Sequence, residues 1–171
     1  LNCPLLFIYK NNKYLPPNGK RLLDIAKEDA TNLDDLKSHL STIFTELRLK
    51  SYIELRSIDA CEWDCHCAAP AFFTGIIYEN LDETYDLIKN WKINDILNAY
   101  STSHTKGLKT EIDSKSILYW SKIILKIAKD GLKKRNFINK NGNDETVYLK
   151  NIEHILINGR TKAEDALKNF K

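Results

Sequence analysis

Residues Tyr52-Ile53-Glu54-Leu55-Arg56 alternate apolar and ionic side chains with a period of two. A helix scatters such a pattern around its axis, whereas a strand sorts it onto two faces. Glu54 and Arg56 then project from one side, and Ile53 and Leu55 from the other, where a core is expected to receive them. The first side carries an acid and a guanidinium, flanked by Tyr52, with Asp59 and Trp63 following. Two readings stay open. The pair is a solvated i,i+2 ion pair, nearly neutral in energy, or Glu54 holds a divalent cation and Arg56 an oxyanion.

The chain has 171 residues, enough for one domain with a core, and residues 1–171 are expected to form a single domain. A balance of 26 basic against 23 acidic side chains leaves +3, too little to argue for a nucleic-acid partner. No apolar run approaches the ~18 residues of a membrane span, and no signal-peptide core opens the chain. A soluble, cytoplasmic protein with no membrane partner is expected. The chain starts at Leu1 and contains no methionine, so a processed product or a fragment is expected.

Residues 4–9 read as a short buried strand, closed by the turn Lys10-Asn11-Asn12-Lys13, and residues 14–19 as a second extended piece. A helical turn or two is predicted over 21–29. Asn32 is the predicted N-cap of a helix with Leu33, Leu36, Leu40 and Phe44 on its apolar face. After the strand and an irregular stretch, Pro70 suits the first turn of a helix over 71–78. Helices are predicted over 82–91, capped from Asn80, and over 93–100, followed by a polar loop over 101–110. The longest helix is expected over about 114–134, with Ile117, Trp120, Ile124 and Ile127 on one face. Two more, over 146–157 and 161–170, end the chain. Few short strands followed by mostly helices make an α+β class.

The run from His39 to Arg56, with Asp59, Trp63, Cys67 and Pro70-Ala71-Phe72, resembles glutamate–cysteine ligases of the plant and proteobacterial type. Their pattern reads H-L-T-T-x-F-P-E-V-R-L-K-x-Y-L-E-M-R, then G-A-D-G-G-P-W-R-R-L-C-A-L-P-A-F. Gly107-Leu108-Lys109-Thr110 and Ala128-Lys129-Asp130-Gly131-Leu132 match later family motifs. The resemblance implies the C-terminal part of a glutamine synthetase-like catalytic domain, with the upstream part of the same enzyme as its partner. It implies ATP-dependent joining of the γ-carboxylate of glutamate to the amine of cysteine through γ-glutamyl phosphate, the first step of glutathione synthesis. The small-molecule partners are then glutamate, cysteine and ATP, and the cofactors ATP and Mg²⁺. By the same resemblance Glu54 is the Mg²⁺ ligand, and Arg56 stabilises the transferring phosphoryl group or the glutamate, as phosphoryl transfer needs positioned cations. The chain has no Walker-type phosphate loop.

The departures are local. Trp63-Asp64-Cys65 stands where the family has W-R-R, and Ser57-Ile58-Asp59-Ala60-Cys61 where it has G-A-D-G-G. If those arginines meet nucleotide phosphates, activity or substrate use is altered here. Arg56, Trp63, Lys109 and Tyr9 are the candidate substrate- or nucleotide-binding residues, although exposed loop lysines are usually only solvated. Cys61, Cys65, His66 and Cys67 invite a zinc-binding or interaction module as an alternative, against which stand reduced, partly buried thiols. A related ligase using another amine acceptor is the other alternative. In plant members the position of Cys67 joins a redox-sensitive disulfide with an upstream partner. His39 is expected to make a structural hydrogen bond, and Lys122, Lys126, Lys129, Lys133 and Lys134 to form a solvated face.

Overall fold

A computed structural model describes residues 2–28, 32–59 and 61–170. The chain divides into two compact units, Leu1–Asp59 and Ala60–Lys171. The division falls in the loop after the Glu54 strand, where the composition marks no boundary. Helices and short antiparallel strand pairs together make an α+β protein.

The first unit opens with a hairpin of β1 (Ile8–Lys10) and β2 (Lys13–Leu15), in register Ile8↔Leu15. Asn11 and Asn12 form its two-residue loop, both at positive φ (52° and 59°). Asparagine tolerates that conformation, which matches the twist of a tight hairpin. The expected strand at 4–9 is shorter than predicted, and Tyr9 lies exposed rather than buried. Helix α1 (Leu22–Glu28) follows, with Arg21 bonded to Asp24 at its start.

Helix α2 (Leu33–Thr42) starts as predicted. Asn32 Oδ1 accepts from the backbone N–H of Asp34 and Asp35, and Asp35 accepts from that of Asn32. This reciprocal cap satisfies donors that the first turn leaves without partners. The buried face is not the predicted one. Leu33, Leu40 and Phe44 are exposed, and His39 is the buried residue. Strands β3 (Leu47–Leu49) and β4 (Ile53–Leu55) complete this unit as an antiparallel pair.

The second unit is built on helix α6 (Ile117–Arg135), introduced by Ser116, whose hydroxyl accepts from the Tyr119 N–H. Before it come α3 (Ala68–Thr74), a π-helical turn over Gly75–Glu79, α4 (Leu81–Ile88) and α5 (Ile93–Lys106). Helix α5 runs six residues beyond its predicted end, into the stretch read as a polar loop. The ladder of β5 (Glu111–Ile112) and β6 (Lys115–Ser116) was not predicted; its turn places Asp113 and Ser114 at positive φ. A 3₁₀ turn over Glu145–Leu149, α7 (Lys150–Asn158) and α8 (Lys162–Asn169) close the unit, α8 with a Thr161–Glu164 capping box.

Leu125 and Leu132 of α6, Leu149, Leu156 and Ala71 form the core, with Phe72, Leu108 and Leu118 packed on it. Asn80, expected to cap α4, makes no side-chain cap. It is buried instead, donating to the Ile127 carbonyl at 2.7 Å and accepting from Lys134 Nζ. Lys134 and Lys129, the latter paired with Glu153, are therefore not purely solvated. Among the described residues no helix is long and apolar enough to cross a membrane.

Candidate active site

The β3–β4 register places Arg48 directly opposite Glu54, and Leu47 opposite Leu55. Cross-strand partners share a face, so Arg48, Glu54 and Arg56 gather on one side of the hairpin. Leu47, Leu49, Ile53 and Leu55 occupy the other. The expected core face is the more open one: Leu47, Leu49 and Ile53 are 51%, 79% and 56% exposed. The ionic face is the better covered, because Arg48 reaches back to the end of α2. Its Nη2 donates to the Ser41 carbonyl at 2.9 Å, and more weakly to that of Ile43 at 3.4 Å.

Glu54 does not depend on Arg56 for its counter-charge. Its carboxylate has Arg48 Nη1 at 3.5 Å and Lys50 Nζ at 3.7 Å. Both are ion pairs longer than a hydrogen bond, and the buried Oε2 accepts none. Arg56 is anchored by its backbone, which donates to the Glu46 carbonyl at 2.9 Å. Its guanidinium lies over the Phe44 ring, 4.9 Å from the centroid, and its Nη1 is buried without a hydrogen-bond partner. A stacked cation with an unused N–H beside a carboxylate ringed by cations is chemically incomplete. An oxyanion would satisfy Arg56, and a metal ion would use the spare lone pair of Glu54.

One carboxylate does not make a metal cage. Among the described residues no group of three or more His, Cys, Asp or Glu is placed to hold an ion. Mg²⁺ is commonly bound through one or two carboxylates together with substrate phosphates, and a single Glu54 fits that mode alone.

The other candidates lie elsewhere in the sequence. Tyr9 sits on β1, its ring 4.9 Å from that of Tyr14, and lines a 610 Å³ cavity of the first unit that neither Glu54 nor Arg56 touches. Trp63 and Lys109 belong to the second unit. Trp63 is 88% exposed, with its ring 5.3 Å from that of His66. Lys109 is exposed at the end of a 3₁₀ turn over Gly107–Lys109.

Arg48 and Lys50 had no assigned role in the sequence reading. Their signal was present: Arg48-Leu49-Lys50 has the same two-residue alternation, and it sits one short turn before Glu54. His39 is a further correction. It is 2% exposed, and neither ring nitrogen has a hydrogen-bond partner, so the expected structural bond is not made. The thiols also differ from expectation: Cys61 and Cys65 are disulfide-bonded, while Cys3 and Cys67 are free and exposed. That bond leaves Cys67 and His66 alone from the proposed zinc cluster, and this arrangement offers no tetrahedral site.

Residues 11–169 match the model of glutamate-cysteine ligase family 2. The chain is 32% identical over 179 residues to the chloroplastic glutamate–cysteine ligase of Nicotiana tabacum, covering 99% of this chain and 33% of that protein. To the enzyme of the same name from Arabidopsis thaliana it is 31% identical, with the same coverage of each. To the chloroplastic glutamate–cysteine ligase A of Oryza sativa subsp. indica it is 31% identical over 180 residues, 100% of this chain and 35% of that one. The chain thus spans about a third of the length of these relatives. Their chloroplastic designation overturns the expectation of a cytoplasmic protein.

Proposed function

Because this chain belongs to glutamate-cysteine ligase family 2, we propose that it is the C-terminal part of a glutamine synthetase-like catalytic domain. The whole protein joins the γ-carboxylate of L-glutamate to the amine of L-cysteine, with ATP as the source of the activating phosphoryl group. The observation that supports this reading is the ionic face of the β3–β4 hairpin. Arg48 and Lys50 flank Glu54 there with Arg56 on the same face, and three of the four groups carry buried atoms with no hydrogen-bond partner.

In this reading Arg56 Nη1 would donate its unused N–H to an oxygen of the transferring phosphoryl group. The Phe44 ring beneath the guanidinium favours this position beforehand, which lessens the reorganisation needed as charge moves. Arg48 and Lys50 orient the Glu54 carboxylate. Glu54 would supply one oxygen to Mg²⁺, which when bound would neutralise phosphate charge. Trp63, Lys109 and Tyr9 are proposed substrate or nucleotide contacts. The remaining carboxylates and most of the substrate sites come from the upstream part of the same polypeptide, since one acid and one arginine cannot orient three substrates.

The test is phosphate release by the full-length protein with glutamate, cysteine and ATP. Product formation that requires all three supports the assignment. ATP hydrolysis indifferent to both amino acids would remove it. Replacing cysteine by other small amines in the same assay separates this ligase from one with a different acceptor, a question raised by Asp64 and Cys65 at two family arginine positions.

A further inference from the structure

Helix α6 carries Lys122, Lys126, Lys129 and Lys133 at intervals of four, three and four residues, which set them in one row. The row lines a 430 Å³ groove together with Leu125 of α6 and Leu156 and Ile157 of α7. A Cβ on Gly159 would lie 3.5 Å from Leu118 Cδ2 near the start of α6, whereas Glu153 pairs with Lys129 farther along. Helix α7 therefore runs back along α6, and Ile157 comes to the Lys122–Lys126 end. The groove holds two carboxylates, Glu153 and Asp130. Four lysines against these two leave it at +2, most of the chain's +3. Among the described residues Lys122, Lys126, Lys133 and Asp130 make no ion pair.

Lys122 and Lys126 stand one helical turn apart, which separates their Cβ atoms by about 5–6 Å. In an extended peptide every second side chain falls on the same side, about 6.6 Å along. Two carboxylates two positions apart therefore reach both lysines. The side chain between them turns to the opposite wall, where Ile157 is 78% exposed beside the buried Leu156. A phosphate-dense polyanion fits less well. Asp130 and Glu153 share the groove, and among the described residues no aromatic side chain lines it for stacking. A membrane surface also fits less well, because Leu125 and Leu156 are recessed and leave one isoleucine to insert.

We propose that the α6–α7 groove is a docking site for an acidic segment of a partner protein, bound extended through an acidic–apolar–acidic run. Its carboxylates meet Lys122 and Lys126, and the apolar side chain between them covers Ile157. Lys133, beyond the Lys129–Glu153 pair, adds attraction at longer range. Exposed ion pairs of this kind make an interaction that is transient and sensitive to salt.

The experiment follows the fluorescence anisotropy of a labelled Gly-Glu-Leu-Glu-Gly peptide titrated with the full-length protein at low ionic strength. Saturable binding is expected. Reversing both charges, Lys122→Glu with Lys126→Glu, should weaken it about tenfold or more, since two ion pairs become repulsions. Ile157→Ser should weaken it several-fold by removing the apolar contact. All three side chains are exposed, so these changes leave the core intact. A Gly-Glu-Ser-Glu-Gly peptide should bind several-fold more weakly than the leucine peptide. No binding at low salt, equal binding of the serine peptide, or binding indifferent to both variants would overturn the proposal. Displacement by tripolyphosphate or by phosphatidylserine vesicles, at concentrations below those of unlabelled peptide, assigns the groove to a phosphate or a membrane and overturns it as well.

Discussion

Gly75 and Gly131 face each other across the contact between the π-helical turn and α6, with no room for a side chain on either. A Cβ on Gly131 would overlap the Gly75 carbonyl and lie 3.1 Å from its Cα. One on Gly75 would overlap the carbonyl of Ala128, one turn earlier. The obstruction is backbone on both sides, so no rotamer change relieves it. The two glycines let α6 approach closely enough to seal Ala128 and Leu132, both 0% exposed.

Gly131→Ala is therefore expected to destabilise the second unit, although alanine is the better helix former by about 1 kcal/mol. Overpacking against rigid backbone costs roughly 1–3 kcal/mol or more, and it outweighs the propensity gain. A denaturant titration reads the result. A rise in midpoint would show that the contact is looser than described.

Glu54→Ala and Arg56→Ala are expected to lower phosphate release by the full-length enzyme about 10²–10³-fold, the range for removing one preorganised electrostatic partner. Arg56→Lys should recover little, because an ammonium lacks the planar fork that stacks on Phe44. Wild-type turnover in both alanine variants would remove the roles assigned here.

Arg48 and Lys50 both touch Glu54 but should differ in weight. Arg48→Met strands the Ser41 carbonyl contact and a carboxylate with a buried oxygen, and a loss of about 1–3 kcal/mol is expected. Lys50 is 41% exposed, and its 3.7 Å pair is screened, so Lys50→Met should change stability by less than about 1 kcal/mol. Thermal melts of the two variants, compared at fixed pH and salt, decide it.

The stability of the first unit should depend on pH through His39. Its folded pKa is depressed by burial, so the unfolded chain binds the proton more readily. Stability is then fully present above the ordinary value of about 6.5 and is lost as pH falls towards the folded value. Unfolding midpoints between about pH 5 and 7.5 should rise with pH, and His39→Phe should flatten that slope. An unchanged slope in the variant assigns the effect to other groups.

Asn80→Leu tests the tie between the start of α4 and α6. It leaves the Ile127 carbonyl and Lys134 without their buried partner, a loss of about 1–3 kcal/mol. A purely capping role for Asn80 would instead predict about 1 kcal/mol, restored by serine at that position.

What the chain determined by itself was local chemistry. Period-two alternation gave the Glu54 strand; Asn32 with Asp35, and Thr161 with Glu164, wrote their helix starts; and the order of motifs around residues 39–72 carried the family. Each depends on residues a few positions apart, whose interaction survives in almost any surroundings. Which face of the hairpin is covered, which side of α2 is buried, that Asn80 spans two helices rather than capping one, and where the chain divides were decided by tertiary packing. Side-chain alternation is symmetric, and only a neighbouring segment breaks it. At the hairpin that segment was the end of α2, whose Ser41 carbonyl captured Arg48 and drew the charged face inward.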